Sequence, residues 1–272
     1  MKDSRLLLTF FGLTFLINWG LWGLLVFSPQ FRLLTGAVGP DSPLLYIGGY
    51  APTIAAVFLV SWIYGPRGLK SFLARLLRWN VGIWWYVGLI ALFVGMDLFV
   101  RYLTILTGGY VPAIGYSLAM AAPLALLTLV STTGPLGEEL GWRGLALPLL
   151  QRRYSPLAAS LILGCIWGAW HIPAFLFSGS PQSVYSFPLY FIYLVCGTVL
   201  MTAVYNATGG SLPLAIIVHG LFNLNGAMTI NGIEPLGIFI MCAVLLAAAY
   251  LISLRKPGAI FTRWLPALMP PL

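Results

Sequence analysis

Apolar stretches of about 20 residues recur along this chain between Gly, Pro and charged interruptions, and a helix of that length crosses roughly 30 Å of hydrocarbon. Eight can be marked off: 6–28, 44–64, 82–107, 114–133 with a continuation to 150, 155–178, 184–206, 211–230 and 235–254. Only 7% of residues are charged and 60% are apolar, against about a quarter charged in an ordinary globular domain. The chain therefore reads as an all-α polytopic membrane protein, a bundle of about eight transmembrane helices. Gly134-Pro135 should kink or restart the fourth helix, with Thr133 as its cap.

Loop charge tests that count, because Lys and Arg accumulate on the cytoplasmic side of a membrane. Eight spans place Lys2, Arg5, Arg67, Lys70, Arg75, Arg78, Arg152, Arg153, Arg255, Lys256 and Arg263 on one side. Arg32 alone faces the other, and Arg101 and Arg143 lie within spans. Seven spans would scatter these charges, so both termini are expected to be cytoplasmic. The first stretch is longer than a signal-peptide core and no small-x-small cleavage pattern follows, so it reads as a retained signal anchor. Cys165, Cys196 and Cys242 fall within spans at spacings that match neither a zinc motif nor a disulfide framework, and read as buried small apolar residues.

No internal repeat or soluble domain is visible, so residues 1–272 read as a single transmembrane domain with a motif core at 135–225. Within 65–80, Leu69, Phe72, Leu73, Leu76 and Leu77 recur at helical spacing, with Arg67, Lys70, Arg75 and Arg78 mostly opposite. This amphipathic segment is expected to lie in the interface against anionic lipid headgroups. The net charge of +8 then needs no nucleic acid to account for it.

In such a chain ionisable groups inside helices mark candidate functional sites, because they are expensive to desolvate. The sequence has six acidic residues and two histidines, and four of these, Glu138, Glu139, His171 and His219, fall into three short patterns within the spans: Glu138-Glu139-x-x-x-Arg143, Trp167-x-x-x-His171 and His219-x-x-x-Asn223. Glu139 and Arg143 share a helical face in the favourable order, so Arg143 can neutralise Glu139. Glu138 is rotated about 100° away and faces Trp142, which leaves it free for chemistry. Measured from the helix ends, Glu138, His219 and His171 lie roughly 18, 12 and 24 Å deep. Pro173 and Pro213 make local irregularity near the site plausible. Asp97 and Arg101, one turn apart on the third span, read as a structural pair, and Trp142, Trp167 and Trp170 read as packing.

Two chemistries suit this set of residues. A zinc ion could be held by Glu138, His171 and His219 with an open position for water. Alternatively, without metal, Glu138 and His171 deprotonate a water while His219 and Asn223 donate to an oxyanion formed on a carbonyl. Asn223 favours the second, since an amide donor suits an oxyanion better than zinc.

The three motifs in this order resemble those of the CAAX-protease and bacteriocin-processing family of intramembrane proteases, also called the Abi family. Position 167 is Trp where that family's second motif usually has Phe, a difference expected not to matter. The resemblance implies an endopeptidase with its active site in an intramembrane cavity. In it Glu138 and His171 activate water, His219 and Asn223 form the oxyanion site, and Glu139, Arg143 and Trp167 support them. No cofactor is preferred, with zinc possible. The implied substrate is a peptide or membrane protein, including a C-terminal or lipid-modified one, reached from the cytoplasmic side. A short chain without extra domains looks similar to prokaryotic members, so a prokaryotic plasma membrane is expected. The competing classes are a proton- or ion-coupled transporter and a partner-binding immunity scaffold.

Overall fold

A computed structural model describes residues 3–35, 43–111, 134–177, 180–224 and 234–262. Its elements are α1 (Asp3–Phe27), α2 (Pro29–Thr35), α3 (Pro43–Gly49), α4 (Ala51–Leu73), α5 (Ile83–Leu106), α6 (Pro135–Gly141), α7 (Leu147–Gln151), α8 (Pro156–Trp170), α9 (Ile172–Leu176), α10 (Phe187–Ala207), α11 (Leu212–Leu224) and α12 (Glu234–Arg255). Short 3₁₀ turns cover Ala74–Leu77, Pro181–Val184 and Pro257–Ala259, and no strand occurs among the described residues. The protein is thus an all-α polytopic membrane protein, as its composition requires.

Among the described residues five helical segments are long and apolar enough to span: α1, α5, α8 with α9, α10 and α12. The second expected span becomes a sixth if α3 and α4, bent by 61° at their junction, are counted together. Of the fourth, residues 114–133, with the Thr133 cap, lie outside the described residues, and the continuation 135–151 is helical with an irregular middle. The seventh is described only as the 13-residue α11, too short to cross alone. Gly134 is extended and Pro135 opens α6, so the helix restarts where Gly134-Pro135 led us to expect. Asp97 Oδ2 accepts from Arg101 Nε at 2.7 Å, the expected pair. Of the cysteines only Cys242 is buried; Cys196 is half-buried and Cys165 is exposed on α8.

The centre of the bundle is α10, buried on every side over its second half and packed against α8, α11 and α12. The segment that carries the paired glutamates lies against α4 through a face of small residues. A Cβ on Gly137 would come within 2.5 Å of the Tyr50 ring, and one on Gly141 within 2.6 Å of the Pro52 backbone. Gly144, one turn further, faces Phe72. Glycines at i, i+4 and i+7 bring two backbones together where lipid offers no hydrophobic drive for association.

Between α6 and α7 the chain widens into a π turn, Trp142–Ala146. The cause is visible downstream: Pro148 has no N–H to give either to Gly144 O, its α-helical partner, or to Arg143 O, its partner in π register. Both carbonyls are served from elsewhere. Arg75 Nη1 donates to Gly144 O at 2.6 Å, and Nη2 donates to the Tyr205 hydroxyl and, at the outer limit of 3.5 Å, to Arg143 O.

This corrects the reading of the amphipathic segment 65–80. Gly65, at φ 62°, and Pro66 kink α4 there, while Phe72 turns inward. Arg75 is 2% exposed and lies beneath the 135–151 segment rather than among headgroups. A cation so placed answers the unpaired carbonyls; amphipathic spacing reveals which face is apolar but not that a charged side chain has a buried acceptor waiting.

Two outcomes follow for thermal unfolding in detergent. Arg75→Ala leaves two buried carbonyls without donors and should cost about 2–6 kcal/mol, at about 1–3 kcal/mol for each unmet group. Arg75→Lys, with a point charge in place of a fork, should recover only part of it. Gly141→Ala must displace backbone and should cost about 1–3 kcal/mol, whereas Gly12→Ala, with nothing within 4 Å, should be neutral or slightly stabilising.

Candidate functional site

The 135–151 segment places Glu138 and Glu139 on different sides of one turn, and both are buried. Glu139 Oε1 accepts from Arg143 Nη1 at 2.8 Å, the one-turn pair that the spacing predicts, with both side chains fully enclosed. The same oxygen takes a second donor, His219 Nδ1 on α11, also at 2.8 Å. Glu139 therefore orients His219, a role that helical phase within one segment could not reveal. Arg143 also lies over the Trp167 ring, its Cζ 4.4 Å from the centroid. A guanidinium on an aromatic face suits a buried cation with unfilled donors, and Arg143 Nε and Nη2 have no hydrogen-bond partner among the described residues.

Glu138 forms no ion pair among the described residues. Its Oε2 instead accepts from two indoles: Trp142 Nε1 at 3.1 Å, one turn on, and Trp167 Nε1 at 2.6 Å from α8. Trp142 lies where the helical phase put it. Both tryptophans, expected as packing, hold the carboxylate, and position 167 is not indifferent between Trp and Phe, because a phenyl ring has no N–H to offer. The structural reason was legible in type, since a buried indole seeks an acceptor.

His171 occupies a break between α8 and α9. Pro173 cannot donate to the carbonyl one turn back, and the chain tightens so that His171 N bonds Gly168 O and Ala174 N bonds His171 O. Two carbonyls are thereby released. Trp167 O accepts from His171 Nδ1 at 2.9 Å, and Trp170 O accepts from Asn18 Nδ2 at 2.9 Å and Trp19 Nε1 at 3.2 Å on α1. A carbonyl only accepts, so His171 Nδ1 carries the proton and Nε2 is the ring's open atom. Trp170 and Tyr190 enclose the imidazole, with ring centroids 4.8 and 5.3 Å away. Asn18, Trp19 and Tyr190 were absent from the sequence reading; a buried Asn in an apolar helix was the available signal for the first.

Trp167 ties the three motifs together, its ring edge-on to His219 at 5.0 Å. Glu138, Glu139, Arg143, Trp167, His171 and His219 thus form one cluster. Asn223 is one turn beyond His219 on α11, with an exposed side chain. Among the described residues no three His, Cys, Asp or Glu side chains converge closely enough to hold a metal ion. As placed, Glu138, His171 and His219 do not fit a three-ligand zinc site.

Residues 118–225 match the family described as type II CAAX prenyl endopeptidase Rce1-like. Over 109 residues the chain is 36% identical to CAAX prenyl protease 2 of Methanococcus maripaludis, a stretch that is 38% of this chain and 39% of that protein. The match thus spans about two fifths of that relative's length, and the matched segment holds all three motifs and the helices that join them around Trp167. Over that segment the chain is similar to the type II CAAX prenyl endopeptidases.

Proposed function

We propose that the chain is an intramembrane endopeptidase in which Glu138 and His171 activate a water molecule and His219 and Asn223 hold the oxyanion. The observation that carries this reading is the way the two imidazoles are committed. Each directs Nδ1 at an oxygen, Trp167 O for His171 and Glu139 Oε1 for His219, so each has Nε2 left for chemistry. Glu138, held by two neutral donors rather than a cation, is the carboxylate suited to take a proton and give it back.

The steps follow from those open atoms. Water held between Glu138 and His171 Nε2 attacks the scissile carbonyl carbon, and its proton passes to Glu138. The tetrahedral oxyanion receives hydrogen bonds from His219 Nε2–H and the Asn223 amide. In this role His219 directs Nδ1–H to Glu139 and Nε2–H to the oxyanion, whose negative charge the ring meets. The C–N bond then breaks as the proton on Glu138 is delivered to the leaving amine. Water, carbonyl and amide are accounted for without a metal.

The relative's name specifies a CAAX prenyl protease, and a peptide with a C-terminal, lipid-modified cysteine is accordingly the first substrate to test, with an unmodified peptide beside it. We place the enzyme in a prokaryotic plasma membrane with both termini and substrate entry on the cytoplasmic side, and assign its basic loops to anionic headgroups. The loop charges support that orientation.

Purified protein in proteoliposomes should cleave such a peptide, and Glu138→Gln or His171→Ala should lower kcat about 100- to 10,000-fold while substrate binding persists. Cleavage at the original rate by both variants would defeat the roles given to Glu138 and His171, whereas no cleavage by the parent protein would leave a transporter or scaffold. Asn223→Ala should cost about 100- to 1,000-fold in kcat. Activity should survive exhaustive chelation; complete loss restored by zinc would overturn the metal-free mechanism.

A further inference from the structure

The two oxygens of Glu138 are not equivalent. A carboxylate oxygen has two in-plane lone-pair sites, and on Oε2 both are met: Trp142 Nε1 at 3.1 Å and Trp167 Nε1 at 2.6 Å. Oε1 accepts no hydrogen bond from any described residue. A proton arriving on Oε2 would have to displace an indole in a dry surrounding, where an unmet donor is costly. Oε1 receives it at no such cost.

Trp167 does more than fill one of those sites. Its backbone carbonyl accepts from His171 Nδ1, so a single residue holds the carboxylate with its side chain and the imidazole with its main chain. Its own place is firmly set. Gly168 lets α8 approach α10 so closely that a Cβ there would meet the Phe191 ring at 2.5 Å, and Arg143 lies across the indole face. Trp167 itself is 4% exposed.

We propose that Trp167 is a positioning residue of the catalytic centre: its indole N–H, with that of Trp142, occupies Glu138 Oε2 and makes Oε1 the oxygen that takes the proton from water and returns it to the leaving amine. This rests on the endopeptidase reading above. The proton moves from water to Oε1 as the O–C bond forms, and from Oε1 to nitrogen as the C–N bond breaks, so the two oxygens never exchange duties. Packing alone would ask only for an aromatic ring at 167.

The test compares W167F, W142F and a protein carrying benzothienylalanine at 167, an isostere that keeps the bicyclic shape and lacks the N–H. Each is assayed in proteoliposomes for kcat and KM on a lipid-modified peptide. The Glu138 carboxylate stretch is followed by infrared difference spectroscopy, with E138Q identifying the band. Loss of the Trp167 N–H should lower kcat about 10- to 100-fold with KM within about twofold, and should move the Glu138 band. W142F, which removes the longer bond, should do the same to a smaller extent. An isostere variant with unchanged kcat, or with the band unmoved, overturns the proposal even when E138Q is inactive. Full activity of E138Q would instead defeat the assignment of Glu138 as the group that activates water, while the band would still report the indole contact; a parent protein that cleaves no peptide would defeat the endopeptidase reading. Should W167F fail to fold, the isostere and W142F decide the matter.

Discussion

A carboxylate sealed from water has to be neutralised where it stands, and Glu139 is such a group: fully enclosed, with both its partners converging on one oxygen. Arg143 comes from the same turn and His219 from a helix 80 residues away in sequence. Breaking such an arrangement by removing one partner leaves an uncompensated buried charge, which is far more costly than the pair is stabilising. The geometry of α6 against α11 is therefore tied to Glu139, and with it the distance between the turn bearing Glu138 and the ring of His219. The second ion of the pair, Arg143, extends this constraint to α8 through the Trp167 face.

Around that ion pair, the helices depart from regular geometry where proline removes a donor, and another element makes good the loss. Pro148 strips the π turn of its N–H and Arg75 answers; Pro173 opens the chain at His171, and α1 answers with Asn18 and Trp19. In hydrocarbon the freed carbonyls have no water to turn to, so each irregularity requires a partner of its own. These are also the places where side chains of the candidate site are presented. A regular α8 would offer Trp167 O to its own backbone, and the imidazole of His171 would lose its anchor.

Helical phase made part of the centre legible in advance. Glu139 with Arg143, and Glu138 toward Trp142, follow from spacing alone because the stretch that carries them is helical and the pairs are one turn apart. The restart at Gly134-Pro135 and the irregularity at Pro173 follow from proline's missing donor. What spacing could not convey is anything that crosses between helices: that His219 would reach Glu139, that Trp167 would share Glu138 with Trp142, or that Arg75 would turn inward. Those depend on which faces meet, and the faces are selected by glycines at 137, 141 and 168 whose value lies in the neighbour they admit. Apolar length, for its part, located the long helices well and was least informative for α11, whose 13 residues carry His219 within a longer apolar stretch.

The order in which the chain is made gives the buried Arg75 a further meaning. Polypeptides emerge from the N-terminal end, so Arg75 exists 69 residues before the Gly144 carbonyl that it serves. When the segment with Pro148 enters the bilayer, its guanidinium partner is already available, and Arg143 follows Glu139 within four residues. His219 comes last. The Glu139–Arg143 pair thus precedes, in the order of synthesis, the helix whose His219 closes on the same carboxylate oxygen.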